Sequence, residues 1–438
     1  MHLLPQLREL EEKYSEGFQI IGVHSAKFLA ESFTSNIMQA TRRYRINYPV
    51  INDRNHEIWK YYGVKAWPTT LIIDANGNVH SHIEGEVSFS ELEKQILDAF
   101  HYSSENKLIV RPKLNARTSD IPKVNHGNLS FPGKITSDAI SQRLFITDSS
   151  NNRILITSLD GTITDVIGRP TSGFLDGSAS SALFNNPQGI ANHENLVFVA
   201  DTGNHAIRKI DLSTREVSTM WYSEQGKTSP WDLAYENGVL YIAMAGVHQI
   251  WDMNIRNNNT LALAGSGHEA LIDGDPKEAC LAQTSGLVID QGHIYFVDSE
   301  TSSIRTLDLN GDQEVHTLVG TGLFEYGDLD ANGTNAKLQH PIGIALYKGN
   351  IYIADTYNNK IKVLSINSLD VSTLAGDGNS RLLDGMNTCS SFYEPSGLTI
   401  INDRIYVADT NNHAIRIIDL SSGQVDTLNL LPISNSTQ

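Results

Sequence analysis

The phrase VFVADTGNHAIRKIDL at 197–212 returns near the C-terminus as IYVADTNNHAIRIIDL at 405–420, so one structural unit is used more than once along this chain. Weaker copies are LFITDSSNNRILITSL from 144, LYIAMAGVHQIWDMNI from 240, IYFVDSETSSIRTLDL from 294 and IYIADTYNNKIKVLSI from 351, which makes six. Internal repetition at this period is the signature of an array whose units cannot bury their apolar faces alone.

Each copy reads as an apolar strand, an Asp with small polar residues in a turn, and a second strand, the pattern of a hairpin. Asp148, Asp201, Asp298, Asp355 and Asp409 hold the turn position and Met244 replaces them in the third copy. The expected role of the Asp is to accept hydrogen bonds from the amides of its own turn, with Gly203, Asn204 and Asn412 taking left-handed conformations. A Pro-x-Gly phrase opens a further strand upstream, at Pro187, Pro341 and Pro395, and a short strand ending on Gly320 or Gly376 follows downstream. Four antiparallel strands per copy match the blade of a β-propeller, and six blades predict a closed ring. An open solenoid of the same units is the rival architecture, and neither end carries the polar cap it would need.

The phrases Asn204-His205-Ala206-Ile207 and Asn412-His413-Ala414-Ile415 resemble the signature of the NHL-repeat propellers. That resemblance implies an all-β six-bladed NHL-type propeller over 128–431, with a tail at 432–438.

Residues 1–104 have a different rhythm, an α/β alternation. Helical patterns run over Leu3 to Tyr14, Ser32 to Tyr44 and Phe89 to Phe100, and strands over Phe18 to His24, Leu71 to Asp74 and Val79 to Glu84. This order, with Trp67-Pro68-Thr69 entering a strand, resembles a thioredoxin-like domain. The resemblance implies a cis Pro68 and makes Trp67, Pro68 and Thr69 a candidate client-binding loop, followed by a linker at 105–127. Together with Gly22-Val23-His24-Ser25-Ala26-Lys27-Phe28 and the aberrant Tyr241-Ile242-Ala243-Met244-Ala245-Gly246, the two parts resemble the family that joins a thioredoxin-like domain to an NHL propeller. In that family paired redox cysteines sit just ahead of a Met-His-x-Leu-Pro phrase, here Met1 to Pro5. The expectation is an N-terminally truncated thioredoxin-like domain whose first strand and Cys-x-x-Cys belong to a missing upstream segment.

The only cysteines are Cys280 and Cys389, in loops between blades that are not neighbours, so no disulfide is expected and no dithiol chemistry is available. A net charge of −17 without a basic cluster argues against nucleic acid as a partner. No apolar run is long enough to cross a bilayer and no signal sequence is present, so the chain reads as soluble and cytoplasmic as written, or exported or lumenal if a segment precedes it.

Three sets of polar residues compete for a functional role. His205, His248 and His413 recur at one repeat position, which favours completing each hairpin over converging on a metal. Asp176, Asp273 and Asp384, each followed by glycine, with Asp328 and Asp330 in the fifth-blade loop, share the rim that carries the Asp turns; they could attract a cation or a basic partner, but the favoured reading is that each Asp-Gly makes its own turn. The inner strands offer Asp232 as their clearest acidic residue, too little for the metal-dependent lyases and hydrolases built on related propellers. These features predict a non-enzymatic interaction scaffold with no catalytic residue, metal or cofactor of its own, whose propeller face of Asp turns, histidines and Asp-Gly loops engages a protein partner. A thiol-disulfide oxidoreductase, should redox cysteines precede Met1, is the alternative, and a propeller lyase or hydrolase the third reading.

Overall fold

A computed structural model describes residues 3–14, 18–105 and 129–432. The chain forms two compact units, Met1–Val124 and Asn125–Gln438. The linker expected at 105–127 and the tail at 432–438 lie outside the described residues except for residue 105, which closes a helix, and residue 432.

The first unit runs α1 (Leu3–Lys13), β1 (Gly22–His24), α2 (Thr34–Arg43), β2 (Val50–Asn52), α3 (Glu57–Tyr61), β3 (Thr69–Ile73), β4 (Val79–Glu84) and α4 (Phe89–Glu105). β1 pairs with β2 in parallel and β3 with β4 antiparallel, as two separate two-stranded sheets. Leu10 of α1 packs on Leu92 and Ile96 of α4 to form the apolar centre. The expected strand from Phe18 shortens to β1, and β2 and α3 are additions. Three strand residues are too few for alternation to register, and five helical residues too few for a 3.6-residue period. α3 is instead set by Asp53, whose carboxylate accepts the amides of Ile58 at 3.0 Å and Trp59 at 2.9 Å.

The second unit is a ring of six blades, each a four-stranded antiparallel sheet, with a two-residue fifth strand in blades two and six. The inner strands are Ile135–Asp138, Ile190–His193, Pro230–Glu236, Thr284–Asp290, Gly343–Tyr347 and Pro395–Ile401. Each touches the next and the sixth touches the first, which closes the ring and excludes the open solenoid.

The closed ring explains why the second strand of a blade is a nearly unbroken apolar run. Successive side chains of a strand point to opposite faces, and in a propeller both faces are interior. Val197 and Val199 enter the core between blades one and two, while Phe198 and Ala200 enter the core between blades two and three. Six such clusters exist, one per junction, and the one between blades six and one seals the ring with Leu144, Ile146, Tyr406 and Leu428.

At the start of the inner strands the Pro-x-Gly glycine has a packing purpose. A Cβ on Gly189 would lie 2.5 Å from the Cα of Asp232, and one on Gly397 would lie 2.5 Å from the Cα of Lys134, so only glycine lets neighbouring blades approach this closely. Gly286 and Gly343 stand as close to a neighbouring carbonyl, while blades one and three carry other residues there, Lys134 and Asp232. Gly189→Ala should therefore destabilise the propeller by about 1–3 kcal/mol through overpacking. Denaturant unfolding would show this, and an unchanged midpoint would refute the close-approach role.

Candidate functional site

The repeated phrase Asp-Thr-x-Asn-His forms a short 3-10 turn between the second and third strands of a blade, and each position has its own partner. The left-handed residue is the last one: His205 (φ 51°), His248 (φ 54°) and His413 (φ 54°), with Asn152, Ser302 and Asn359 at the same place in the other blades. Gly203, Asn204 and Asn412 do not take that conformation, contrary to the sequence expectation, because the turn reverses one or two residues later.

Nor does the Asp carboxylate take the backbone amides of its own turn. Asp201 accepts the amide of Asn185 at 2.7 Å, the side chain of Asn204 at 2.8 Å and the Arg208 guanidinium at 2.8 Å. Asp409 repeats this with Tyr393, Asn412 and Arg416, and Asp355 with Gln339, Asn358 and, at 3.8 Å, Lys362. Asp298 takes Ala282 and Arg305, and Asp148 takes Ser130, Asn151 and Arg153. All five carboxylates are fully buried. They therefore leave the candidate partner face, since a carboxylate at zero exposure offers nothing to dock against.

The residues flanking the Asp bind the next blade. The hydroxyl after the Asp donates to the carbonyl of the next blade's proline: Thr202 to Pro230 at 2.6 Å, Thr356 to Pro395 at 2.8 Å and Thr410 to Pro132 at 2.8 Å, with Ser149 and Ser299 doing the same toward Pro187 and Pro341. The left-handed residue accepts the amide that opens the next blade. His205 Nδ1 takes Ser229 at 3.1 Å, His248 Nδ1 takes Gln283 at 3.0 Å and His413 Nδ1 takes Phe131 at 3.0 Å. Asn152, Ser302 and Asn359 supply oxygens to the amides of Asn186, His340 and Glu394. The three histidines sit in the turns of their own hairpins, but their side chains serve the next blade instead of converging on one point. They join one blade to the next, and His413 with Phe131 joins the last to the first.

The basic residue seven positions after the Asp reaches the Asp-Gly loop. Arg208 bonds Asp176 at 2.7 Å, Arg305 bonds Asp273 at 2.8 Å, Arg416 bonds Asp384 at 2.7 Å and Lys362 bonds Asp330 at 2.9 Å and Asp328 at 2.7 Å. Each loop carboxylate also holds a threonine of its blade's outer strand: Thr219, Thr317, Thr373 or Thr427. Aromatic rings cover the guanidinium groups, Phe184 on Arg208 and Phe392 on Arg416. The Asp-Gly carboxylates hold the protein's own arginine or lysine in place of an external cation or basic partner. Sequence reading missed these basic residues, although their fixed offset from the Asp was visible.

Burial pushes the Asp355 carboxyl up to about 7, and those of Asp201 and Asp409 to about 6, against the downward pull of their cations and amides. For Asp176 and Asp330 burial also pushes upward, but the bonds from their threonines and cations outweigh it and hold both below the usual carboxylate range.

At the ring axis Asp232 meets Lys134 of blade one at 3.1 Å, and the same ammonium donates to the carbonyl of Ile342 in blade five at 2.6 Å. Both side chains are buried. The acidic residue that sequence reading singled out on the inner strands is therefore answered by a lysine from across the ring.

In the first unit the Trp67–Pro68 bond is cis, as expected. The Trp67 indole donates to the Ser25 carbonyl at 2.8 Å and its ring lies 4.5 Å from that of Trp59, leaving Trp67 48% exposed. Pro68 presents its carbonyl to Gly85 at 2.8 Å, and Thr69 bonds Ala66 at 2.7 Å. Of the expected contact residues, Trp67 is the large one left accessible.

A thioredoxin-like unit and a closed NHL-type propeller define this class of protein. A thioredoxin-like family model matches residues 1–79 and an NHL-repeat model residues 392–418. The chain is 39% identical over 491 aligned residues to NHL repeat-containing protein 2 of Gallus gallus, covering 99% of this chain and 66% of that protein. It is 40% identical over 457 residues to protein SUPPRESSOR OF QUENCHING 1, chloroplastic, of Arabidopsis thaliana, covering 97% of this chain and 43% of that one. The chain belongs to the family of NHL-repeat proteins that carry a thioredoxin-like domain, and spans about two thirds of the length of the animal relative. A crystal structure of an auxiliary nutrient binding protein from Bacteroides ovatus shares the fold, with a TM-score of 0.51, 15% identity and 68% of this chain and 69% of that chain covered. No helix among the described residues is long and apolar enough to cross a membrane.

Two expectations follow. His413→Ala removes the acceptor for the Phe131 amide and should cost about 1–3 kcal/mol, whereas His413→Asn should recover most of it, because asparagine serves this place in blades one and five. Thermal unfolding of the two variants side by side decides, and equal losses would refute the acceptor role. A carboxyl near 7 in the fold and near 4 unfolded keeps its proton in the fold between those values. Its contribution to stability is then full below about pH 4 and declines as the pH rises toward 7. Asp355→Asn should flatten the fall of stability over that interval by up to about 1.4 kcal/mol per pH unit, measured by urea unfolding at a series of pH values.

Proposed function

We propose that this chain is a non-enzymatic protein-interaction scaffold: a rigid propeller that presents loops and strand edges to a protein partner, with Trp67 of the thioredoxin-like unit as a second contact. The observation that carries this reading is how the propeller's conspicuous polar groups are engaged. The Asp turns, the repeat histidines, the Asp-Gly carboxylates and the axial Lys134–Asp232 pair each have a defined partner within the fold. Acid–base or metal chemistry requires such groups to converge on a reacting atom instead. A thiol–disulfide reaction would need a thiolate, and the two cysteines of the sequence, Cys280 and Cys389, both lie in the propeller. Loops held on a rigid frame are where binding residues concentrate, and a half-exposed tryptophan is a frequent interface anchor.

The test is affinity isolation with the intact chain, followed by titration of the purified candidate partner. Saturable binding that Trp67→Ala weakens at least tenfold without lowering the unfolding temperature is expected, alongside no insulin reduction above the dithiothreitol background. Catalysed insulin reduction by the purified chain would overturn the non-enzymatic reading.

A further inference from the structure

The propeller covers the outer edge of five blades with its own chain. In blade two Gly177–Ser178 pairs with the outer strand, and in blade six Gly385–Met386 does so. Gly274 bonds Val315 in blade four, Ala331 to Gly333 bonds the outer strand of blade five, and Leu431 bonds Ile163 in blade one. In blades two, four, five and six the covering segment belongs to the Asp-Gly loop that enters the same blade.

Blade three is entered by the short segment 223–229, which has no Asp-Gly loop. Its outer strand, Thr260–Ala264, ends its sheet, and among the described residues no segment pairs with its outer side. The other members of the clasp have changed with it. Met244 stands for the buried Asp, Trp251 for the arginine, and Ala262 for the threonine whose amide and hydroxyl the loop carboxylate takes elsewhere. Trp221 and Trp251, with rings 5.4 Å apart, occupy the junction of blades two and three. On the strand itself Leu261 is 70% exposed. An uncovered apolar edge strand is a template for pairing with another chain, and proteins without a use for one blunt it with charge, proline or a covering segment. The strand TLALA carries neither charge nor proline.

We infer that the outer edge of blade three, Thr260–Ala264, is a strand-addition site for an extended, predominantly apolar segment of a partner protein. Four of the internal covers, in blades two, four, five and six, pair antiparallel, and that is the geometry the occupant adopts. The replaced clasp fixes its chemistry: with tryptophan and alanine where arginine and threonine sit elsewhere, an acidic insert would lose its partners, whereas an apolar side chain meets the half-buried Trp251 and the exposed Leu261. Backbone pairing along the edge supplies affinity and the apolar contacts supply selectivity. This inference rests on the scaffold reading and names the surface and the mode of capture.

The test uses the intact chain and a phage-displayed library of linear dodecapeptides. Selected peptides should be rich in apolar residues, slow hydrogen exchange at the Ala262 amide, and bind at least tenfold more weakly to Leu261→Lys and Ala262→Pro. Leu261→Lys alters an exposed side chain, so folding is preserved if the proline variant does not fold. Four results would overturn the site: no selectable peptide, peptides indifferent to Leu261→Lys, an Ala262 amide already protected in the free monomer, or self-association abolished by Leu261→Lys, which would make the occupant a second copy. Indifference to Leu261→Lys in peptides that still bind would leave the scaffold reading standing, whereas failure of the partner titration above would remove that reading and leave the edge measurement independent.

Discussion

The propeller depends on one small device, the residue that turns left-handed at the end of Asp-Thr-x-Asn-His and accepts the first amide of the next blade. No blade can stand alone, because its second strand sends alternate apolar side chains into two different cores. Apolar burial is non-directional and would tolerate a range of angles between neighbouring sheets. A hydrogen bond from a fixed left-handed residue to a fixed amide does not, and it occurs at all six junctions, with imidazole nitrogen, amide oxygen or hydroxyl oxygen as the acceptor. The adjacent hydroxyl-to-proline bond, present at five, gives each of those junctions a second fixed point.

The buried Asp and its cation do a different job, tying each long entry loop back to the blade it serves. Arg208 reaches both Asp201 and Asp176 while donating to the carbonyls of Leu183 and Leu175, so one side chain satisfies four groups. A buried ion pair is poor evidence for stability by itself, because desolvation opposes the attraction. Blade three makes the point within this chain: where no long loop has to be held, methionine and tryptophan replace the pair and the junction is filled by apolar packing. The charges are kept where a loop needs a defined place, a role in specificity more than in net stability.

How much of this was legible follows from the length scale of each feature. The repeat, the blade count, the thioredoxin-like order and the cis Pro68 could be read because each rests on a pattern that is local or recurs. The partners of Asp201 and His205 could not, since the first reaches back to Asn185 and the second forward to Ser229, and a single copy of the motif cannot reveal where the chain returns. The Asp was read as a turn residue on propensity, while burial against an arginine set its role. That arginine was within reach: Asp201 with Arg208, Asp298 with Arg305, Asp355 with Lys362 and Asp409 with Arg416 share one spacing, and Met244 with Trp251 changes both members together.

Repeats also reverse the usual search for function. With six copies in one chain, residues present at the same place in most blades are explained by what every blade must do, which is to join its neighbours and hold its loop. What the repeat does not require is the better guide: blade one departs at the axial glycine, the cation and the outer threonine, with Lys134, Leu155 and Val166, and blade three departs further. Asp232 replaces the axial glycine, Met244 the buried Asp, Ala245 the bridging hydroxyl, Trp251 the cation and Ala262 the outer threonine, and the entry loop is short. Blade three differs from blade one in having lost the buried Asp and the bridging hydroxyl as well, in favour of an apolar junction, and at the surface it is the one blade whose outer strand is left without a cover among the described residues.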